Sequence, residues 1–294
     1  MKKKSWLLFA YVTMITWGVW GAFTNLPTEY GFPETMIYVV WALTMIIPAI
    51  IVLKMNNWKL EVDKKAILYG SLIGLLGAGG QMILFHAVKV GPPYLIFPII
   101  SLSPIITIGL SFLLLKERTG WIGTAGIVLA LIALPMFELS GDFSFSNPFS
   151  SWFFLAVLVL MAWGLQAFFM KKANEIMQAE SIFFYMMIWG ILLIPFALYM
   201  TDFDTAIFST KGISLAAGIQ VLNAIGALFL VYAFRYGKAI VVSPLTNAGA
   251  PLITAIISLI VLSVVPSATK IIGIVLAVLA ALLISLQPEE KKEE

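Results

Sequence analysis

Amide, hydroxyl and indole side chains recur inside strongly apolar stretches of this sequence. The segment SPLTNAGAP, residues 243–251, places a serine, a threonine, an asparagine and two prolines between two apolar runs. These groups donate and accept hydrogen bonds, but they are weak nucleophiles without an activating base. Their pattern therefore indicates recognition of a polar ligand rather than bond cleavage.

Residue types that support catalysis or metal binding are scarce. His86 is the only histidine and there is no cysteine, which excludes the usual zinc and iron–sulfur ligand sets. No Ser–His or Asp–Asp pair stands at helical spacing, and no glycine-rich phosphate loop is present. We therefore expect no enzyme activity, no cofactor and no metal site.

The composition is that of an integral membrane protein. Of the 294 residues, 61% are hydrophobic and 11% are charged, whereas a soluble domain has about 25% charged residues. The lipid bilayer is therefore a predicted partner. The net charge of +3 is small and the basic residues are scattered, so we expect no nucleic-acid binding.

Ten apolar segments are long enough to cross a bilayer as helices, for which about 20 residues are needed. None shows the alternating polarity of a barrel strand. The predicted spans are 6–25, 33–53, 66–88, 93–115, 120–138, 151–171, 181–200, 212–235, 240–264 and 268–286.

The positive-inside rule gives the orientation. With both termini in the cytoplasm, all but three of the 18 basic residues lie on the cytoplasmic side, the exceptions being Lys89, Lys211 and Lys270. We therefore predict a multi-pass protein of the cell (inner or cytoplasmic) membrane with both termini cytoplasmic. The lysine-rich start could suit a signal peptide, but no clear cleavage site follows it, so we expect the first span to be retained.

The sequence repeats itself at an offset of 146 residues (151 − 5), which becomes 147 after one inserted residue. We therefore expect two halves, residues 1–146 and residues 147–294, the second ending in a short charged cytoplasmic tail. Five spans per half is an odd number, so the second half must be inverted in the membrane. The matched residues include Trp17 and Trp163, Gly18 and Gly164, Pro98 and Pro244, Pro104 and Pro251, and Thr107 and Thr254.

Two stretches carry a family resemblance. KERTGWIGTAGIVLALIAL, residues 116–134, and FHAVKVGPPYLIFPIISLSPIIT, residues 85–107, resemble EamA-type permeases of the drug/metabolite transporter superfamily. The resemblance extends over about residues 5–286 and implies an all-α fold of ten transmembrane helices in two inverted five-helix repeats. The acidic residue that the family carries near the end of its fourth helix falls on Glu117, whereas the second half has Val264 at the matching place.

Polar residues inside spans are costly and tend to face the bundle interior, so they are the candidates for a substrate cavity. Glycines at 70, 74 and 77 share a helix face with Gln81, and interhelical packing is the alternative explanation for that stripe. The cavity candidates are Trp17, Trp20, Gln81, Ser101, Ser103, Thr107, Trp163, Gln166, Gln220, Asn223, Thr246 and Asn247.

Prolines at matching places of the two halves suggest helix breaks with a role in gating, because proline removes a backbone donor. The candidates are Pro98, Pro104, Pro244 and Pro251. An ordinary proline kink is the alternative. His86 and Glu117 are the titratable candidates, although His86 matches Tyr232 in the repeat and Glu117 suits a solvated charge cluster between two basic residues.

These observations predict a secondary transporter that moves a small neutral or zwitterionic organic metabolite by alternating access. No acid or base stands near the middle of a span, which argues against a strongly anionic substrate. The resemblance implies export more often than uptake, and coupling to a proton or to an exchanged solute stays open. The alternatives are a flippase for a lipid-linked substrate on the same fold and, less favoured, a membrane scaffold that transports nothing.

Overall fold

The computed structural model describes residues 5–91, 93–138, 151–261 and 267–286, and these ranges form helices and no strand. The predicted boundary between residues 146 and 147, Val264, the charged tail and the side chain of Pro98 lie outside the described part. The helices are α1 (Ser5–Phe23), α2 (Leu26–Glu29), α3 (Glu34–Thr44), α4 (Ile46–Met55), α5 (Lys64–Val90), α6 (Pro93–Ser101), α7 (Pro104–Leu114), α8 (Trp121–Glu138), α9 (Ser151–Ala173), α10 (Ala179–Leu192), α11 (Ile194–Met200), α12 (Thr210–Tyr236), α13 (Ala239–Val261) and α14 (Ala268–Leu286).

The helices follow the ten predicted spans. Seven helical stretches are long and apolar enough to cross a membrane, and three shorter apolar stretches occupy 99–114, 121–136 and 268–284. The predicted fold class, an all-α membrane protein in two inverted repeats, is confirmed.

Matching helices of the two halves begin after a capping side chain and end before a glycine. Asp63 precedes α5 and accepts hydrogen bonds from the backbone N–H groups of Lys65 and Ala66, while Ser209 precedes α12 and accepts one from Gly212. Each side chain satisfies donors that a helix start leaves without partners. Both helices are 27 residues long and both are followed by a glycine.

Three predicted spans consist of two helices each. The second span is interrupted at Met45, the fourth at Leu102 and Ser103, and the seventh at Leu193. Pro104 and Pro195 stand at the start of the helix that follows the break, where a missing N–H leaves no bond unmade.

The helix break predicted at Pro244 and Pro251 is wrong, because both residues lie inside the uninterrupted helix α13. Between them, Thr246 donates from Oγ1 to the Val242 carbonyl at 2.9 Å and Asn247 donates from Nδ2 to the Ser243 carbonyl at 2.9 Å. Both bonds run from a side chain to the carbonyl four residues earlier in the same helix, whereas the carbonyls that the two prolines leave without a backbone donor are those of Ile240 and Asn247. Pro98 likewise lies within α6, so among the four candidates only Pro104 adjoins a break.

The two halves run in opposite directions. One end of the bundle, called here the Glu117 end, holds the start of α1, the end of α9 and the corner between α12 and α13. The other, called here the Phe32 end, holds the end of α5 and the starts of α3, α9 and α12. Helix α1 therefore starts where its repeat counterpart α9 finishes, as an inverted repeat requires.

The first helix of each half packs against the opposite half. Helix α1 contacts α12 and α13, whereas α9 contacts α5, α6 and α7. The last helices, α8 and α14, pack antiparallel on each other, with Gly126 against Ile284 and Gly273 against Met136. These two glycines open the two copies of the GIVLA sequence, so the repeat symmetry extends to this contact.

Two glycines at matching places permit close approach between the halves. Gly18 of α1 faces the carbonyl of Ala250 and the side chain of Ile253, and Gly164 of α9 faces the carbonyl of Ser103 and the side chain of Ile106. A Cβ at either glycine would collide with the β-branched partner. Small residues at such crossings let helix backbones approach closely in a membrane.

We expect Gly18→Ala and Gly164→Ala to destabilise the folded protein by about 1 to 3 kcal/mol each, the usual cost of overpacking. Thermal unfolding in detergent measures the effect. The matched control is Gly218→Ala, since Gly218 is also helical and has no atom within 4 Å of the added Cβ. Equal unfolding midpoints for Gly18→Ala and Gly218→Ala would contradict this prediction.

Candidate functional site

Two tryptophans make the same hydrogen bond in the two halves. Trp17 of α1 donates from Nε1 to the Asn223 carbonyl of α12 at 3.2 Å, and Trp163 of α9 donates from Nε1 to the Gly77 carbonyl of α5 at 3.3 Å. Residue 77 is the repeat counterpart of residue 223 (223 − 77 = 146). The indole N–H groups thus serve contacts between helices, while a role for the ring faces in the substrate cavity remains a prediction.

Two threonines form a second symmetric pair. Thr107 of α7 donates from Oγ1 to the Gly164 carbonyl of α9 at 3.0 Å, and Thr254 of α13 donates from Oγ1 to the Gly18 carbonyl of α1 at 2.9 Å. Thr107 is fully buried. Both bonds therefore lie at the Gly18 and Gly164 contacts between the halves.

The amide candidates lie on α5, α9 and α12. On α12, Asn223 donates from Nδ2 to Oε1 of the buried Gln220 at 3.2 Å. Gln166 of α9 packs against Gly77 of α5. Gln81 lies one helical turn further along α5 and is half-buried.

Trp20 is the repeat counterpart of Gln166 (166 − 20 = 146), and its indole is the least satisfied group of the candidate set. Its Nε1 atom is buried and has no hydrogen-bond partner among the described residues. A buried donor without an acceptor costs about 1 to 3 kcal/mol, which an acceptor on a bound solute can recover.

The candidates at the fourth and ninth spans lie in different local structures. Ser101 is the last residue of α6, and the buried Ser103 occupies the break before α7. Thr246 is fully buried and Asn247 half-buried on α13, where both bond to carbonyls of their own helix. The structure thus places one polar turn at a helix break and its counterpart inside a continuous helix.

The glycine stripe of α5 is explained by packing. Gly70 lies against the ring of Tyr185 and Gly74 against Trp189, both on α10. A groove between α7 and α9, lined by Ile105, Ile106 and other apolar side chains, contains none of the cavity candidates.

The titratable candidates have different environments. His86 is exposed near the end of α5. Glu117 was expected in a solvated charge cluster, and that interpretation is wrong, because only 9% of its side chain is exposed. Its Oε2 atom accepts the backbone N–H of Ile240 at 3.1 Å, and its Oε1 atom lies 3.8 Å from Nζ of Lys171.

Burial of the Glu117 carboxyl raises its pKa above the ordinary value of 4.5. The hydrogen bond from Ile240 and the charge of Lys171 oppose that rise and offset part of it. The carboxyl therefore holds its proton more tightly here than in water.

Sequence reasoning missed the partners of Glu117. Lys171 was assigned only to the basic residues that mark topology, yet its Nζ atom donates to the carbonyls of Phe234 at 3.0 Å and Gly237 at 2.6 Å. Comparison of the two repeats offers one signal. The counterpart of Lys171 is Asn25 (171 − 25 = 146), so the lysine is specific to the second half.

Comparison with known proteins gives a consistent result. The sequence profile of the EamA-like transporter family matches twice in tandem, over residues 4–137 and 150–286. An uncharacterized protein of Methanocaldococcus jannaschii is 30% identical over 134 residues, which is 46% of this chain and 96% of that protein. A crystal structure with 16% sequence identity superimposes with a TM-score of 0.81, covering 97% of this chain and 99% of that one, and so shares the fold.

We expect the stability of the fold to contain a pH-dependent contribution from Glu117. Because the folded protein binds this proton more tightly than the unfolded chain, the contribution is complete below the ordinary pKa of 4.5 and is lost as the pH rises through the raised pKa. Glu117→Gln lacks this titration. Its unfolding midpoint in detergent should therefore increase relative to that of the parent as the pH rises from below 4.5 through the raised pKa of Glu117.

The matched control for this titration is Glu175→Gln, because Glu175 forms an exposed ion pair with Lys172 just beyond α9. It should follow the parent protein across the same range. A constant difference in midpoint between Glu117→Gln and the parent would show that Glu117 does not titrate between the two states.

Proposed function

Because the chain belongs to the EamA-like transporter family, we propose that it is a secondary transporter that moves a small neutral or zwitterionic organic metabolite by alternating access. The proposal includes a location in the cell (inner or cytoplasmic) membrane with both termini in the cytoplasm. The distribution of basic residues supports this orientation. Export is the favoured direction, since the family resemblance implies it more often than uptake.

The symmetric contacts between the halves are the observation that carries this proposal. The Trp17 and Trp163 bonds are repeat counterparts, and so are the Thr107 and Thr254 bonds. These four central bonds are therefore related by the repeat. Exchanging the conformations of the two halves would give a second packing of similar energy that opens to the opposite side, which is the physical requirement for alternating access.

The chemistry of the interior supports an uncharged or zwitterionic solute. In the described helices, every aspartate, glutamate, lysine and arginine lies near a helix end. The middle of the bundle offers indole, amide and hydroxyl groups, among them the unpartnered Nε1 donor of Trp20. Such groups bind polar atoms and flat ring surfaces without requiring a net charge.

Solute counterflow tests the function. Purified protein in liposomes preloaded with unlabelled amino acids, nucleosides or sugars should accumulate the matching radiolabelled solute, whereas liposomes without protein should not. Repeating the assay with an imposed pH gradient distinguishes proton coupling from exchange. Failure to move any of these solute classes, with protein that remains folded, would overturn the proposal as stated.

A second prediction concerns the cavity. We expect Gln81→Ala and Asn247→Ala each to reduce counterflow about tenfold, the effect of removing a hydrogen bond of about 1.4 kcal/mol to the solute. Expression should change little, since neither side chain bonds a different helix among the described residues. Asn25→Ala, at an exposed position outside α1, is the control. Normal counterflow in both variants would remove these two residues from the cavity.

A further inference from the structure

The Glu117 carboxylate joins two parts of the chain that are distant in sequence. It belongs to the connection between α7 and α8, in the first half. Its bond to the Ile240 N–H satisfies a donor at the start of α13, in the second half. The loop is fixed to its own half as well, because Glu117 N–H donates to the Ser111 carbonyl at 3.1 Å.

Lys171 connects a third helix to the same corner. It stands in the last turn of α9, and the two carbonyls that accept from its Nζ atom belong to the end of α12 and to Gly237, which follows it. A cation is favoured at the carbonyl end of a helix. Nearby, Nζ of Lys238 donates to the Arg118 carbonyl at 2.6 Å, which adds a further contact between the loop and the corner.

This end of the bundle is densely packed. Every residue from Ala239 to Thr246 is buried, and Lys171 exposes only 16% of its side chain. The ion pair is not repeated at the other end, because Asn25, the counterpart of Lys171, is exposed and uncharged. Repeat symmetry is thus kept at the centre of the molecule and broken at this corner.

We infer that Glu117 and Lys171 form a latch that holds the Glu117 end closed, and that their hydrogen bonds to the α12–α13 corner break when the pathway opens there. This inference rests on the proposed function, since only a protein with alternating access must open this end. Opening requires the α7–α8 connection to separate from the start of α13, and the end of α9 to separate from α12. The Glu117 bond opposes the first movement, and the Lys171 bonds oppose the second.

Thiol labelling tests the latch without any knowledge of the substrate. The protein has no cysteine, so Ser243→Cys places a single reporter at a position that is 1% exposed, three residues after Ile240. In liposomes, a membrane-impermeant maleimide should label it about five- to tenfold faster when Glu117→Ala or Lys171→Met is added, the shift expected for loss of one hydrogen bond. Labelling within about twofold of the parent rate in both variants would overturn the latch.

Two controls separate opening from unfolding. Glu175→Ala removes the exposed neighbouring ion pair with Lys172 and should leave the labelling of Ser243→Cys unchanged. A reporter at Ala42→Cys, fully buried against α10 and α11 and away from the Glu117 end, should remain unlabelled in every variant. A parallel rise at Ala42→Cys would mean that the variants unfold, and the latch would then lose its support.

A reversible cross-link gives the converse test. Arg118→Cys and Lys238→Cys, bridged by a short bifunctional methanethiosulfonate that forms a disulfide with each cysteine, should stop counterflow of the transported solute, and a reductant that cleaves both disulfides should restore it. Each single variant treated with the same reagent should retain transport. Normal counterflow by the bridged protein would overturn the latch. Absence of counterflow in the untreated parent would instead count against the proposed function. The labelling experiment would then decide whether the latch exists.

Discussion

The close crossing of α1 with α13 and of α9 with α7 is the constraint on which the arrangement of this protein depends. Gly18 and Gly164 bring the backbones together, and Thr254 and Thr107 donate to the carbonyls of those glycines. In a bilayer there is no water to satisfy a polar group and little hydrophobic drive between helices. Close packing and interhelical hydrogen bonds at these crossings therefore hold the two halves in register.

Because α1 and α9 each pack in the opposite half, neither half is closed by its own helices. The Trp17 bond joins α1 to α12, and the Trp163 bond joins α9 to α5. The two pairs of helices at the centre are therefore repeat counterparts. The proposed alternating access would move one set of helices against the other, with the central contacts related by symmetry.

The departures from symmetry are concentrated where the sequence departs from its own repeat. The fourth span is broken before Pro104, whereas its counterpart α13 is continuous through Pro244 and Pro251. Glu117 and Lys171 have no charged counterparts, because Val264 and Asn25 occupy the matching places. An alternating-access protein needs two states that differ, so unequal ends allow one state to be favoured over the other.

The sequence by itself determined the ten apolar segments, the two repeats and their inversion, because span length and an odd number of spans follow from hydropathy and offset alone. Only the tertiary structure decided that α1 and α9 exchange partners between the halves, that α13 remains helical, and that Glu117 is buried beside Lys171 and Ile240. Proline lowers the stability of a helix locally, but neighbouring side chains and packing decide whether it breaks. A charged residue at the end of a span is likewise predicted to be solvated, whereas packing of a helix from the other half can bury it. No local sequence pattern encodes that contact.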